Sequence, residues 1–357
     1  MFVFKPDYEA TKKRIEAYWQ LELVDRPVVQ FGLAKPVEDQ IPLPVSCHVS
    51  SRERWMDAEY QAELTLANLT NQEFLGDTLP VAYANLGPEQ LAAFYGCPMN
   101  FGDYGTSWSE SILHDWGKVD QIKLDSQNLY LSRLLKMTDA LIEISQGRFI
   151  VGMPDWHPGG DLLAAFRDPQ NLAVDMIEHL DEVKALLDRL EPDYFQIYDL
   201  FYNKVRAAGM PATSWTTLLH DGRYYIPSND FSIMISKRMF DEVFLPGIQR
   251  ECRLMERTIY HLDGPAAIRH LDSLLEIPEL NAIQFVPGSG NEVFERWIGL
   301  YQRIQKAGKG IQVICSLHEI ERVIETLDPH GVFLSVSGVP DRETGLRLLK
   351  RLGQWTR

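Results

Sequence analysis

The sequence predicts an α/β fold, a (β/α)8 TIM barrel with an N-terminal helical extension. Three observations support this fold class. Short apolar segments of strand length recur along the chain, amphipathic helical patterns lie between most of them, and glycine, proline or polar residues mark many of their ends. About eight short strands that alternate with helices indicate a parallel sheet, and such a sheet commonly closes into a barrel.

Residues 1–75 lack this regular alternation. A helical pattern, a short strand, a proline-rich stretch and a second helical pattern follow one another at Tyr8–Glu22, Val28–Leu33, Ala34–Pro44 and Arg52–Leu69. We therefore expect residues 1–75 to form an extension packed on a barrel that spans residues 76–357.

The barrel strands are predicted where apolar runs are short and bounded by turn residues. These segments are Leu79–Leu86, Phe149–Trp156, Tyr194–Phe201, Ala212–Leu219, Arg257–Asp263, Ala282–Pro287, Ile311–Ser316 and Val332–Val336.

The helices between these strands have recognisable ends. One begins at Asp168, a capping residue followed by proline, and its apolar pattern continues to Leu190. Another begins at Ser316 with a capping-box pattern. Pro246 lies inside the helical pattern at 237–257, which predicts a kink or a break there.

An open, doubly wound sheet is the alternative architecture. That fold usually carries a Gly-x-Gly-x-x-Gly motif after an early strand, and the sequence has none. The nearest match, at 286–290, is interrupted by proline. We therefore favour the barrel and expect no nucleotide cofactor.

Composition narrows the class of protein. With 45% hydrophobic and 11% aromatic residues, the chain can bury a large core. A net charge of −15 without a basic run argues against a nucleic-acid partner. No apolar stretch reaches membrane-spanning length, and the four scattered cysteines suit a reduced interior. We therefore expect a soluble cytoplasmic protein with no membrane partner.

The segment His261-Leu262-Asp263 at the end of a predicted strand is the main candidate site. Side chains alternate across a strand, so His261 and Asp263 project from the same face, and a glycine and a proline then end the strand. In a parallel barrel this end is the catalytic rim. The pair is suited to acid–base chemistry or to metal binding, although a histidine oriented by a carboxylate for structural reasons is the alternative.

Other polar residues follow other predicted strands. Asp155 and His157 lie in a loop rich in glycine and proline, whereas Asp161 is interpreted as a cap for the helix at Leu162. Asp230 is either a catalytic group or the cap of a following turn. Further candidates for substrate contact are Asn85, Gln284, Ser337 and the aromatic residues Trp156, Trp215 and Phe231.

A zinc site is a further hypothesis. His261 and Asp263 supply two ligands, and the third is left open among His157, His318 and Cys315.

The C-terminal half resembles the uroporphyrinogen decarboxylase superfamily, which includes the corrinoid (cobalamin)-dependent methyltransferases. This resemblance implies a barrel fold, and it implies that Asp230 and His261 lie at strand ends of the site. The segments that carry it are Ser228–Ser232, Phe240–Pro246, His261–Gly264, Ala282–Gln284, Lys306–Lys309 and Leu334–Gly338.

The chain departs from the pattern of this superfamily at informative positions. Its methyltransferases hold zinc with one histidine and two cysteines, and the matching positions here are His261, Asp263 and Ser337. The decarboxylase itself uses no metal and binds a carboxylated tetrapyrrole through an arginine-rich N-terminal segment, which this sequence lacks. The resemblance therefore implies a divergent member with its own substrate.

Three functions remain open at this point. The first is a methyltransferase that acts with a corrinoid protein or on a small methylated compound, using His261, Asp263, Asp230 and His157. The second is a metal-free decarboxylase or lyase on a small carboxylated substrate, in which Asp230 stabilises a cationic intermediate and His261 moves protons. The third is a ligand-binding barrel without catalysis. A homodimer through the exposed helices fits all three.

Overall fold

Six strands of the computed structural model form one parallel sheet in the order β1-β12-β11-β10-β9-β8, within the part of the chain that it describes, residues 2–103 and 105–356. Helices surround this sheet, and the arrangement fits a TIM-like α/β fold. The strands are β1 (Val28–Gln30), β2 (Val81–Ala82), β3 (Met99–Phe101), β4 (Ser107–Ser109), β5 (Ile150–Val151), β6 (Ala212–Thr213), β7 (Leu219–His220), β8 (Tyr224–Tyr225), β9 (Arg257–Asp263), β10 (Ala282–Val286), β11 (Gly310–Ser316) and β12 (Val332–Ser337).

The remaining strands form three short pairs. β2 and β5 are parallel, whereas β3 with β4 and β6 with β7 are antiparallel. Backbone hydrogen bonds connect the segments: Gly152 N donates to Ala82 O at 2.7 Å, and Met153 N donates to Thr213 O at 2.8 Å. The N-terminal strands thus pair over only two or three residues, in contrast to the longer ladders of β9 with β10 and of β11 with β12.

The helices are α1 (Tyr8–Trp19), α2 (Ser51–Met56), α3 (Ala58–Thr70), α4 (Gln90–Ala93), α5 (Leu129–Ser145), α6 (Gly160–Arg167), α7 (Pro169–Glu178), α8 (Leu180–Ala207), α9 (Lys237–Met239), α10 (Leu245–Leu254), α11 (Leu271–Leu275), α12 (Ile298–Lys306), α13 (Ile320–Thr326) and α14 (Arg342–Leu352). A 3-10 turn at Asp230–Met234 and a π turn at Phe240–Phe244 lie between α8 and α10.

The C-terminal strands lie where the sequence predicts them. β9 matches its prediction at both ends, and β10, β11 and β12 match theirs within one residue. Most of their side chains are buried, as expected for strands of a parallel sheet that is covered on both faces. The capping box at Ser316 is also present, with Glu319 Oε2 accepting from Ser316 N at 2.9 Å.

The predicted strand at Tyr194–Phe201 is wrong, because this segment lies inside α8. Its buried residues include Tyr194, Ile197, Tyr198 and Phe201, and a spacing of three and four residues places them on one helical face. A short apolar run does not by itself distinguish a strand from a buried helix, and here the longer period continues on both sides.

Two other predicted elements differ from the structure. The helix that begins at Asp168 ends at Glu178, and a new helix starts after His179. The segment at 212–219 contains two-residue strands that turn back on each other instead of one strand. The break expected at Pro246 is present as the π turn that precedes α10.

A buried ion cluster connects the N-terminal segment to the sheet. Asp77 is fully buried and accepts from Arg14 Nε at 2.7 Å, from Arg26 and from Val29 N at 3.0 Å. Because β1 pairs with β12, residues 28–30 of the predicted extension are part of the main sheet. Among the described residues, none of the helices is both long enough and apolar enough to cross a membrane.

Candidate functional site

The site is formed where the segment after β8 meets the carboxyl end of β9. Ser228 makes a parallel bridge with His261, and His261 N donates to Pro227 O at 2.9 Å. These backbone contacts bring Asp230 to the same edge as His261 and Asp263. One potential ligand atom from each of these three side chains lies within 4.8 Å of the other two.

A chain of buried amides orients the His261 ring. His261 Nδ1 lies 2.6 Å from Gln284 Oε1, Gln284 Nε2 donates to Gln312 Oε1 at 2.8 Å, and Gln312 Nε2 donates to Ser335 Oγ at 2.8 Å. The residues come from four adjacent strands, β9 to β12. Because Gln284 uses its amide nitrogen on Gln312, its oxygen accepts from His261, and the proton of the ring therefore lies on Nδ1.

The other nitrogen of this ring faces the carboxylates. His261 Nε2 lies 3.8 Å from Asp230 Oδ1, and Trp215 packs edge-on against the ring with centroids 5.1 Å apart. A hydrogen bond on Nδ1 and an aromatic wall on one side fix the ring plane. Nε2 is thereby presented to the site, as in a histidine that binds a metal or accepts a proton.

His157 has a different environment. Its Nε2 lies 3.1 Å from Asp155 Oδ2, and its Nδ1 lies 3.3 Å from Ser228 Oγ and 3.7 Å from Asp161 Oδ2. Burial of the ring lowers its pKa, but the two carboxylates outweigh burial and hold the pKa of His157 well above its usual value. The two carboxylates thus favour the protonated form of this ring.

Asp161 holds the turn that carries Asp230. Its Oδ2 accepts from Asp230 N at 3.0 Å, and its Oδ1 accepts from Phe231 N at 2.8 Å. The interpretation of Asp161 as a cap for its own helix is corrected here, because Gly159 occupies the N-cap of α6 and Asp161 caps the neighbouring 3-10 turn instead.

Asp230 lies close to both His261 and His157. Burial and the nearby Asp161 carboxylate raise the pKa of Asp230 to about 6, although His261 and His157 act in the opposite direction. Its Oδ1 is buried and has no hydrogen-bond donor within the described part of the chain. An unpaired buried carboxylate oxygen is costly, and it points to a ligand that completes the site.

Two triads of potential ligands share Asp230, one with His261 and Asp263 and one with His157 and Asp161. In the second triad, both oxygens of Asp161 already accept backbone hydrogen bonds, and both ring nitrogens of His157 already contact Asp155 and Ser228. The first triad therefore fits a divalent cation better. One imidazole nitrogen and two carboxylates suit zinc or a similar ion, without the thiolates of a cysteine site.

The other predicted site residues are distributed more widely. Asp155 holds His157, and Gln284 contacts His261, so its amide is occupied within the protein. Trp156 is fully buried against Phe94 and Phe201 and belongs to the core instead of the mouth.

Two further predicted residues make contacts outside the triads. Asn85 lines a different cavity with Tyr83 and Trp55, and its Oδ1 accepts from Gly87 N at 2.7 Å. Ser337 Oγ donates to Cys315 O at 3.4 Å. Phe231, in contrast, follows Asp230 directly and lines a cavity beside it.

Gln312 and Ser335 are not among the predicted site residues, and Ser228 is predicted only as part of the segment Ser228–Ser232. A signal for Gln312 was present, because it is a lone polar residue inside the apolar strand β11, as Gln284 is in β10. The contact of Ser228 with His157 depends on the path of the loop and has no such signal.

Comparison with known proteins gives a likeness of fold. No protein-family model matches the chain. No curated protein sequence matches it either. Among solved structures, the chain is similar to a methyltransferase from Methanosarcina mazei, with a TM-score of 0.61 and 13% sequence identity over 96% of this chain and 98% of that one. At this identity the likeness concerns the fold.

Proposed function

We propose that this protein is a methyltransferase and a divergent member of the uroporphyrinogen decarboxylase superfamily, with its strands closed into an eight-stranded barrel. The convergence of Asp230, His261 and Asp263 around an unpaired carboxylate oxygen carries the proposal. The likeness of fold to a solved methyltransferase, over nearly the whole of both chains, supports it.

Asp230, His261 and Asp263 would hold a divalent cation, with zinc as the expected ion. When bound, such an ion supplies Lewis-acid chemistry, polarising a heteroatom or lowering the pKa of a thiol. The chain's own groups orient this site: Gln284 fixes the ring of His261, and Asp161 fixes the turn that carries Asp230.

Methyl transfer requires a balanced exchange of bonds. The bond between the methyl carbon and the donor heteroatom breaks, and its electron pair stays on the heteroatom, which takes up a proton. An acceptor nucleophile supplies the pair for the new bond. We expect that acceptor to be a corrinoid held by a partner protein or a small thiol. We further expect the protein to be cytoplasmic and to form a homodimer.

A metal-free decarboxylase or lyase is the second candidate. The observation that favours it is the pKa of Asp230, raised to about 6, together with His261 Nε2 at 3.8 Å. Such a pair can exchange a proton near neutral pH without a metal.

Elemental analysis of the purified protein, beside a His261→Ala/Asp263→Ala double variant, tests the proposal. We expect near-stoichiometric zinc or another divalent ion in the parent protein and its loss in the variant. A matched control is His330→Ala, because His330 is an exposed histidine paired with Asp328. The second measurement is transfer of a ¹³C-labelled methyl group to a corrinoid or a thiol.

The outcomes separate the two candidates. Metal that depends on His261 and Asp263, with methyl transfer, supports the methyltransferase. A protein that binds no metal, transfers no methyl group and releases carbon dioxide from a small acid would be the second candidate instead. Ligand binding without turnover of either kind would favour a barrel that has lost catalysis.

A further inference from the structure

An apolar cavity of about 370 Å³ opens beside the two triads. We call it the apolar cavity and define its walls by Leu91 and Ala92 of α4, Leu162 and Ala165 of α6, and Phe231 and Met234 of the 3-10 turn. His157, Asp161 and Asp230 lie at one end of it. A mostly apolar wall with a few polar groups at one end is the usual form of a small-molecule site.

The apolar wall is partly exposed although the turn behind it is well anchored. Ile233 is 45% exposed and Met234 is 44% exposed. The turn is held at its start by the two hydrogen bonds from the backbone to Asp161. Apolar side chains on an anchored turn beside candidate catalytic groups are typical of a surface that a ligand covers.

The polar end of the cavity offers one free group. His157 is engaged by Asp155 and Ser228, and both oxygens of Asp161 accept backbone hydrogen bonds. Asp230 has no partner at its buried Oδ1 among residues 2–103 and 105–356, and its side chain is 43% exposed, so the outer part of this carboxylate faces the cavity. A ligand in the cavity therefore has its apolar part against Phe231 and its polar atom next to Asp230.

The charges of the lining argue against a carboxylated ligand. Glu89, Asp161 and Asp230 all line the cavity, and the one basic side chain of the described lining, His157, is already paired with Asp155. The carboxylate of such a ligand would lie among these three acidic groups without a free cation among the described lining residues, and this is unfavourable in a partly buried site.

From this arrangement we infer that the apolar cavity binds the body of an uncharged methylated substrate, an aromatic ring or a branched alkyl group of similar size, with its methyl-bearing heteroatom at the end next to Asp230. This inference rests on the proposed methyltransferase function and names its substrate class. It excludes small carboxylated acids as the main substrates.

Binding of anisole (methyl phenyl ether) and of propionate, each followed by NMR titration of the purified protein, tests the inference. We expect anisole to bind more tightly than propionate. Met234→Glu places a charge on the apolar wall and should weaken anisole binding about tenfold or more, and Met234→Ala should weaken it about threefold.

Ile177→Glu is the matched control, because Ile177 is 76% exposed on α7 and does not line the cavity. It should leave anisole binding unchanged. Tighter binding of propionate, or equal binding of anisole to the Met234→Glu and Ile177→Glu variants, would overturn the assignment.

The failure of this inference is distinguishable from the failure of the proposed function. If anisole binds in the cavity but no methyl group is transferred from any donor, the methyltransferase is wrong and the ligand site remains. If methyl transfer proceeds only from small carboxylated donors, the function remains and the assignment of the cavity is wrong.

Discussion

Asn229 and Asp230 are consecutive residues, yet their side chains line different cavities on either side of α6. Asp230 lines the apolar cavity. Asn229 lines a second cavity of about 230 Å³, which we call the polar cavity and define by Asn229, Tyr194, Glu251 and Gly160. Both cavities contain buried polar atoms without a hydrogen-bond partner in the described part of the chain.

The difference lies in what surrounds these unpaired atoms. Around Asp230 Oδ1 are a ring nitrogen and a carboxylate in positions that suit a metal. In the polar cavity the unpaired atoms are the amide of Asn229, the Tyr194 hydroxyl and one oxygen of Glu251. An unpaired polar atom costs about 1–3 kcal/mol wherever it is buried. Of these two cavities, and among the residues that the structure describes, only the apolar cavity has potential metal ligands, His261 and Asp263, beside its unpaired oxygen.

Asp230→Asn should have the largest effect on function. It keeps the shape of the side chain but removes the carboxylate, so we expect activity to fall about a thousandfold and metal content to fall with it. The thermal unfolding midpoint should stay close to that of the parent protein, because the outer part of Asp230 is exposed. Full activity in this variant would remove Asp230 from the mechanism.

Glu251→Gln should have the opposite effect, a change in stability instead of a loss of activity. Burial and the nearby Glu191 raise the pKa of Glu251 to about 8, from an ordinary value of 4.5. The folded protein thus binds a proton that the unfolded chain has already released, so stability falls as the pH rises from 4.5 to 8. Over this interval the loss amounts to roughly 3 to 5 kcal/mol.

The glutamine variant lacks this titration and should be more stable than the parent protein at pH 8 and similar to it at pH 5. Urea unfolding at the two pH values measures the difference. Glu182→Gln, on the exposed side of α8, serves as the control and should show no such gain. Equal stability of parent and Glu251→Gln at pH 8 would mean that Glu251 has another partner.

Gln284→Leu tests whether the hydrogen bond that orients His261 contributes to metal binding. It removes the acceptor for His261 Nδ1 at 2.6 Å while keeping a side chain of similar size. Loss of a partner in this position typically lowers metal affinity about 10- to 100-fold. Competition with a chelator of known affinity measures the change. Unaltered affinity would show that the ring is held by Trp215 alone.

Gly160→Ala should have the smallest effect, and it tests whether the polar cavity and the apolar cavity are independent of each other. An added methyl group at residue 160 would lie 2.4 Å from Asn229 Oδ1, so the Asn229 side chain must move further into the polar cavity. We expect a loss of stability of about 1–2 kcal/mol. Metal content should not change. A change in metal content would show that the two cavities are coupled through residues 229 and 230.

The sequence alone predicts the strands in the half of the fold where they are long. β9 to β12 are apolar runs of five to seven residues between clear turns, and the alternation in β9 places His261 and Asp263 on one face. The N-terminal strands have two or three residues each, which is too short for a period to be detected. The apolar run at Tyr194–Phe201 is ambiguous for a different reason, since a run of this length fits a strand as well as a buried part of a helix.

The candidate site was predictable in part. Asp230, His157 and His261 could be selected because they are polar and follow apolar runs. The role of Asp161 could not, because its partners, the backbone amides of Asp230 and Phe231, lie 69 and 70 residues away along the chain. Contacts between distant loops depend on how the strands are ordered, which a local pattern does not contain.

The amide chain from His261 to Ser335 has a consequence for proton mobility. Each glutamine donates to the next residue and accepts from the previous one, so the chain has a direction. Moving the proton of His261 from Nδ1 to Nε2 requires both amides to rotate together, since rotating one alone opposes two donors or two acceptors. The ring therefore changes its tautomer only when both amides rotate, so the two buried glutamines, which lie one and two strands away, control which nitrogen of His261 carries the proton.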